Sequence, residues 1–128
     1  MRRENDVDDQ DLSGRRILIV EDEMLVSMLV TDILEDFGCT VIGPATRLPA
    51  ALEAAGRDDF DAALLDVNLA GTRSFPVADV LASRGIPFVF VSGYGDMDLD
   101  APHEKRPIVQ KPFSPDALGE ALASCLRP

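Results

Sequence analysis

Acidic, hydroxyl and ammonium side chains stand directly after four short apolar runs of the sequence. Glu21 and Asp22 follow the first run, Asp66 the third, and Ser92 and Lys111 the last two. If the runs are parallel strands, these groups meet at one edge of a sheet, where sites of α/β proteins form. Each residue alone could be a solvated loop residue. Their joint placement predicts a site at which clustered carboxylates could bind a cation.

The apolar runs have the length and composition of strands. Residues 17–20 are continuously apolar and rich in β-branched side chains, which is typical of a strand buried on both faces. Five such runs occur in the chain, at residues 17–20, 40–42, 62–65, 88–91 and 108–110.

Helical periodicity appears between the strands. The clearest case is Glu23 to Phe37, where apolar residues recur every three or four positions and Met24 and Met28 fall on the opposite face. Its predicted buried stripe consists of Val26, Leu29, Val30, Ile33, Leu34 and Phe37. Further helices are predicted at 47–55, 75–84 and 114–126. Strands that alternate with helices predict an α/β fold with a parallel sheet covered on both faces.

Composition narrows the functional classes. The chain has 128 residues, of which 46% are hydrophobic, enough for one domain with a real core. Its net charge of −11 repels phosphate backbones and anionic lipids, so we expect neither nucleic acid nor membrane binding. A charged amino terminus and the lack of long apolar runs favour a cytoplasmic protein. The cysteines, Cys39 and Cys125, are expected to be small buried hydrophobic residues.

Residues 1–13 carry five acidic and three apolar side chains without periodicity, which predicts a mobile acidic tail. We therefore expect one domain over residues 14–128. Because the sequence ends just after the last predicted helix, we expect no fused effector domain.

Four motifs can now be compared with known families. They are ILIVEDE at residues 17–23, DAALLDVNLAG at 61–71, FVFVSGYGD at 88–96 and VQKPF at 109–113. In order and spacing they resemble the receiver domains of two-component response regulators. The resemblance covers residues 14–128 and implies a flavodoxin-like, doubly wound sheet with strand order 2-1-3-4-5.

The resemblance also assigns roles to the residues at the strand ends. Asp66 would be the phosphoacceptor, and Glu21 and Asp22 would be the acidic pair that holds Mg²⁺ together with Asp66. The backbone carbonyl of Asn68 would complete the magnesium ligands. The chain would accept a phosphoryl group by its own chemistry and lose it slowly, without being an enzyme that acts on a separate substrate.

Lys111 would pair with a phosphoryl oxygen, and Ser92 would stand at the switch position, where its hydroxyl can bond the phosphoryl group. Asn68 and Tyr94 occupy the two variable positions that tune the lifetime of the phosphoryl group.

The charges of these residues give an independent physical reason for the cation. Glu21, Asp22 and Asp66 bring three negative charges, and Lys111 returns one positive charge. The remaining two negative charges match one divalent cation, and an all-oxygen ligand set suits Mg²⁺. An aspartate can attack a phosphoryl group only where such negative charge is neutralised.

Two features depart from the usual receiver pattern. Ile108 stands where most receivers have the switch aromatic, so the familiar hydroxyl–aromatic coupling cannot operate here. The segment from Met97 to Arg106 has acids, a proline and little apolar periodicity, which predicts a short or irregular fourth helix. Both features resemble a subgroup of stand-alone receivers.

The resemblance implies a sensor histidine kinase or a histidine phosphotransfer protein as phosphoryl donor, and it allows a separate target protein. The phosphorylated chain would relay or drain phosphoryl groups, or bind that target, as a monomer or weak dimer. The alternative is a receiver-fold interaction module that binds partners without phosphorylation. Loss of Asp66 or Lys111 would mark that alternative, and both residues are present.

Overall fold

The structure, a computed structural model, describes residues 12–57, 59–93 and 107–126. The strands of this part are β1 (Arg16–Val20), β2 (Thr40–Ala45), β3 (Ala62–Asp66), β4 (Asn68–Leu69), β5 (Thr72–Arg73), β6 (Phe88–Ser92) and β7 (Ile108–Gln110). Its helices are α1 (Met24–Asp36), α2 (Leu48–Arg57), α3 (Phe75–Ser83) and α4 (Pro115–Leu126).

Five of the strands form one parallel sheet in the order β2-β1-β3-β6-β7. This is the predicted flavodoxin-like order 2-1-3-4-5, because β6 and β7 are the fourth and fifth strands of the sheet. The chain moves outward in one direction from β1 to β2 and in the other direction from β3 onward. Ligand sites of such sheets form where this reversal occurs, at the carboxyl ends of the central strands.

Each face of the sheet has its own apolar core. Alternate residues of β1 point to opposite faces, so Leu18 and Val20 join one core while Ile17 and Ile19 join the other. Helices α2 and α3 cover the first core with Ala51, Ala55, Val77, Ala78 and Leu81. Helices α1 and α4 cover the second with Val30, Ile33, Leu34, Leu118 and Leu122. The sheet is therefore fixed from both sides.

Aromatic packing anchors β6 within the first core. The Phe90 ring meets the rings of Phe88 and Phe75 edge to face, with centroids 5.5 and 5.9 Å apart. Such pairs add stabilisation beyond their buried area. They fix the strand whose last residue is Ser92.

The predicted stripe of α1 is wrong at Leu29, which is 52% exposed. The buried face of the helix is turned toward Ser27, whose hydroxyl donates to the Met24 carbonyl at 3.0 Å and can therefore be buried. Met24 and Met28 are exposed, as predicted. Leu25, for which no surface role was expected, is 82% exposed.

The packed part of the chain includes Leu12, which is fully buried in the second core, two residues ahead of the start expected at Gly14. Residues 1–11 of the expected acidic tail lie outside the described residues. So does the segment expected to form an irregular fourth helix. Among the described residues, none of the helices has the length and apolar character needed to cross a membrane.

Both cysteines are thiols that pack in or against the second core, Cys39 buried and Cys125 half-buried. Burial raises the pKa of each thiol to about 11. A thiol with so high a pKa is mostly protonated and unreactive at neutral pH. Cys39 is thus a small buried residue, as expected, whereas Cys125 is only half-buried.

Candidate functional site

The carboxyl ends of the strands bring the predicted residues together. Glu21 directly follows β1, Asp66 ends β3, Ser92 ends β6 and Lys111 directly follows β7. Glu21, Asp66 and Ser92 are buried. Parallel strands that start at one edge of a sheet end at the other, which is why residues 90 positions apart in sequence meet here.

The Lys111 ammonium is the centre of this cluster. Its Nζ lies 3.0 Å from Glu21 Oε1, 3.1 Å from Asp66 Oδ2 and 3.2 Å from Glu23 Oε1. The Lys111 side chain is only 17% exposed. Three carboxylates, which stand at the ends of β1 and β3, thus share the single positive charge of the Lys111 ammonium.

Asp66 is held by a backbone turn as well as by Lys111. Its Oδ1 accepts a hydrogen bond from the backbone N–H of Asn68 at 3.1 Å, while its Oδ2 faces Lys111. Asn68 opens the short β4–β5 hairpin, whose two turn residues, Ala70 and Gly71, both have positive φ, 52° and 85°. This hairpin follows the strand at once and fixes the orientation of the Asp66 carboxylate.

Two backbone bonds orient Glu21. Its own N–H donates to the Ala45 carbonyl at 3.0 Å, and its Oε2 accepts the N–H of Glu23 at 3.1 Å. Ala45 is available because β2 continues through Gly43, beyond the predicted strand. Gly43 has φ +96°, and a Cβ there would lie 2.9 Å from the Ile19 carbonyl oxygen, so glycine is required.

The electrostatics of the cluster are dominated by excess negative charge. Burial, then the hydrogen bond and charge of Glu21, raise the pKa of Asp66, and Lys111 opposes this rise only in part. Burial by itself would lower the pKa of Lys111, but the bonds and charges of Glu21 and Asp66 outweigh burial and raise it. Lys111 is therefore firmly protonated, and the carboxylates still repel one another.

Carboxylate oxygens of Glu21, Asp22 and Asp66 lie within 4.8 Å of one another. Glu21 and Asp66 are buried, while Asp22 is exposed at the mouth of the cluster. Convergent oxygen donors with uncompensated charge are what a hard divalent cation requires. The residues present therefore fit the predicted Mg²⁺.

Of the remaining predicted residues, Ser92 and Ile108 are described by the structure and Tyr94 is not. Ser92 is fully buried, and its hydroxyl donates to the Gly93 carbonyl at 3.1 Å. Ile108 is half-buried against the first core and pairs in register with Phe90. Tyr94 lies outside the described residues, so its predicted tuning role stays a prediction.

The sequence analysis did not predict that Glu23 belongs to the cluster around Lys111. The charge count used Glu21, Asp22 and Asp66, whereas Glu23 also contacts Lys111 and raises the negative charge around it from three to four. The signal was present, because Glu23 directly follows the acidic pair. The sequence does not show in which direction the Glu23 side chain points at the start of α1, and so its contact with Lys111 was not predicted.

Comparison with known proteins identifies this arrangement. The sequence profile of the response regulator receiver domain matches residues 17–123. The chain belongs to this family. Receiver domains act in two-component signalling as regulatory phosphoacceptors.

Three relatives illustrate the match. The solution structure of SdrG from Sphingomonas melonis Fr1 is 42% identical with a TM-score of 0.80, covering 91% of this chain and 98% of SdrG. The phyllosphere-induced regulator PhyR of Methylorubrum extorquens is 30% identical over 86% of this chain and 43% of PhyR. The receiver spans less than half the length of the curated relatives it matches first.

The third relative shares the fold at 21% identity and a TM-score of 0.76, covering 89% of this chain and 98% of its own. It is the receiver domain of sensor histidine kinase PA1611 from Pseudomonas aeruginosa PAO1, solved with a magnesium ion coordinated in its active site cleft.

The charge imbalance predicts that Asp66→Asn stabilises the metal-free receiver. Folded Asp66 binds its proton more tightly than the unfolded chain does, so stability falls as pH rises from the ordinary pKa of 3.8 to about 7. In EDTA at about pH 8 the variant should gain on the order of 1–3 kcal/mol in free energy of unfolding, measured with urea, and less at about pH 5.

Asp32→Asn, an exposed charge change on α1, is the matched control and should shift stability by less than about 0.5 kcal/mol. A gain for Asp66→Asn that grows on acidification would contradict the predicted charge imbalance.

Proposed function

We propose that this receiver accepts a phosphoryl group on Asp66 from a histidine-phosphorylated protein, with Mg²⁺ as cofactor. The observation that carries the proposal is the contact of buried Asp66 with the Lys111 ammonium inside the acidic cluster. The resemblance of the four strand-end motifs to receiver domains supports the same assignment.

The reaction is a transfer between two residues. An Asp66 oxygen attacks phosphorus, the N–P bond of the phosphohistidine breaks, and the imidazole nitrogen keeps that electron pair. Lys111 would pair with a phosphoryl oxygen, and the Asn68 N–H would keep the carboxylate oriented during the attack. Ser92 would turn its hydroxyl from the Gly93 carbonyl to the new phosphoryl oxygen.

Glu21, Asp22, Asp66 and the backbone carbonyl of Asn68 would hold the magnesium ion, which supplies positive charge where carboxylate and phosphoryl oxygens converge. Asp22 is the exposed member of the cluster, so the cation can reach it from solvent. The alternative module that works without phosphorylation is disfavoured, because it gives no reason to place a lysine and four carboxylates together.

Phosphorylation should occur once and on Asp66. Incubation with acetyl phosphate and Mg²⁺, followed by intact-mass spectrometry, should show one added phosphoryl group on the wild type and none on Asp66→Ala. Asp59→Ala removes a carboxylate whose side chain is 94% exposed and should still gain the group. A phosphoryl group on Asp66→Ala, or none on the wild type, would overturn the proposal.

Removal of the exposed carboxylate should weaken the metal site without damaging the fold. Asp22→Asn should lower Mg²⁺ affinity at least about tenfold in a calorimetric titration, because ligand charge largely sets the affinity for hard cations. Asp32→Asn makes the same charge change far along α1 and should leave the affinity near the wild-type value. Equal affinities for the wild type and Asp22→Asn would place the metal elsewhere.

An apolar surface next to the site is the candidate docking surface for the phosphoryl donor. Its exposed members on α1 are Met24, Leu25, Met28 and Leu29. It continues into a groove of about 360 Å³ lined by Val26, Leu29, Gly93, Lys111, Pro112 and Phe113. Since Lys111 belongs to both the groove and the acidic cluster, a donor bound here would present its phosphohistidine to Asp66.

Leu25→Ser should therefore slow transfer from a protein donor more than transfer from acetyl phosphate. With autophosphorylated histidine kinases as donors, the ratio of the two rates should fall about tenfold, as for a residue central to an interface. Ala82→Ser, on the exposed side of α3, should leave the ratio unchanged. An unchanged ratio for Leu25→Ser would exclude this surface as the docking site.

A further inference from the structure

Two arginines flank the acidic cluster on the side of α2 and α3. Arg47 directly precedes α2, and Arg73 ends β5, two positions before α3 begins. Both arginines are exposed. Each of these helices leaves the sheet at its carboxyl edge, where the cluster lies, because α2 follows β2 and α3 follows β3 through the hairpin. The two arginines therefore stand on the rim of the candidate site.

Backbone contacts fix both positions relative to the cluster. The last residue of β2 accepts the N–H of Glu21, and Arg47 follows two positions later in the chain. Arg73 pairs in register with Asn68, whose N–H holds the Asp66 carboxylate. Residues directly opposite each other in an antiparallel pair point to the same face, with Cβ atoms about 5 Å apart. Arg73 thus lies beside the residue that orients the phosphoacceptor.

The start of a helix is an unfavourable place for an arginine. A helix N-terminus carries partial positive charge, so acidic side chains are favourable there and basic ones are not. The other two helices follow this preference, since Glu23 is the N-cap of α1 and Asp116 lies in the first turn of α4. Neither α2 nor α3 has an acidic residue in its first turn. Helix stability therefore does not explain Arg47 and Arg73.

The other basic residues of the described part, apart from Lys111, lie at the opposite edge of the sheet. Arg15 and Arg16 lie at the start of β1, Arg57 ends α2, and Arg84 follows α3. The chain as a whole carries a net charge of −11. Two arginines and two helix N-termini on one side of the site create a local positive field in this acidic chain, which attracts negative groups of a partner.

We propose that Arg47 and Arg73 form a basic rim that binds acidic side chains of the phosphoryl donor near its phosphohistidine. This inference rests on the proposed phosphorylation of Asp66 and adds the chemistry of the partner to it. The apolar surface on α1 belongs to the helices that cover the second core, whereas the basic rim belongs to those that cover the first. A donor that reaches Asp66 contacts the apolar surface on one side and the basic rim on the other.

The test compares phosphoryl transfer from two donors at saturating Mg²⁺. The donors are acetyl phosphate and, from a panel of autophosphorylated histidine kinases, the one that transfers fastest to the wild type. Arg47→Glu and Arg73→Glu should each lower the second-order rate constant with the kinase about threefold at low salt, because charges at the edge of an interface act mainly on encounter. The rate at saturating kinase should stay unchanged, and the rate with acetyl phosphate should change less than about twofold.

Charge and packing are separated by salt and by neutral variants. Added KCl should reduce the differences from the wild type, because exposed charges are screened. Arg47→Gln and Arg73→Gln remove the charge without adding an acid, so their losses should be smaller. Arg57→Glu is the matched control, because it makes the same charge reversal at an exposed residue about 15 Å away, at the other end of α2. It should leave the rates with both donors near the wild-type values.

Four results would overturn the inference. The first is an unchanged rate constant with the kinase in both Glu variants. The second is an equal loss with acetyl phosphate, which would mean that the basic rim acts on the phosphoryl group and not on the donor protein. The others are an equal loss in Arg57→Glu and a loss that KCl does not reduce. If the wild type accepts no phosphoryl group from the kinases or from acetyl phosphate, the proposed phosphorylation itself fails.

Discussion

One half-buried ammonium surrounded by carboxylates sets the requirements that the rest of the receiver meets. Lys111 touches acids from the ends of β1 and β3 while standing after β7. Bringing charges out of water is costly unless they are paired and hydrogen-bonded. A parallel sheet meets this requirement, because all of its strands end at one edge and deliver the partners there. The strand order puts β1 beside β3, so Glu21 and Asp66 become neighbours.

The elements around the sheet serve the same cluster. The β4–β5 hairpin donates the Asn68 N–H to Asp66, and the extension of β2 through Gly43 supplies the carbonyl that fixes Glu21. Phe90 anchors the strand that ends in Ser92. The contacts of Asp66 and Glu21 use backbone groups, which are held more rigidly than side chains are. They neutralise no charge, so the cluster keeps an excess of negative charge.

Much of this arrangement could be predicted from the sequence because it depends on local patterns. Five apolar runs of strand length, alternating with helical segments, indicated the α/β sheet. Four of the runs are followed directly by a polar residue, and this indicated the positions of Glu21, Asp66, Ser92 and Lys111. The features that were not predicted depend on how a helix is rotated against the sheet and on where a side chain points. The periodicity of a sequence does not encode either. The exposure of Leu29 follows from a rotation of α1 toward Ser27, a polar residue that no hydrophobic pattern would bury.

The contact between Glu23 and Lys111 was hidden for a similar reason. An acid at the start of a helix suggests a favourable interaction with the helix dipole, and nothing in its type or spacing indicates that it reaches a distant lysine. The β4–β5 hairpin was equally unmarked, because Ala70 is an unusual residue for a positive φ.

A crystal structure of the receiver with Mg²⁺ and beryllofluoride would test the central claim most directly. The account predicts beryllium bonded to an Asp66 carboxylate oxygen, a fluorine within hydrogen-bond distance of Lys111 Nζ, and Mg²⁺ among Glu21, Asp22 and Asp66. Beryllofluoride on another residue, or Lys111 still bonded only to carboxylates while Asp66 is occupied, would contradict it.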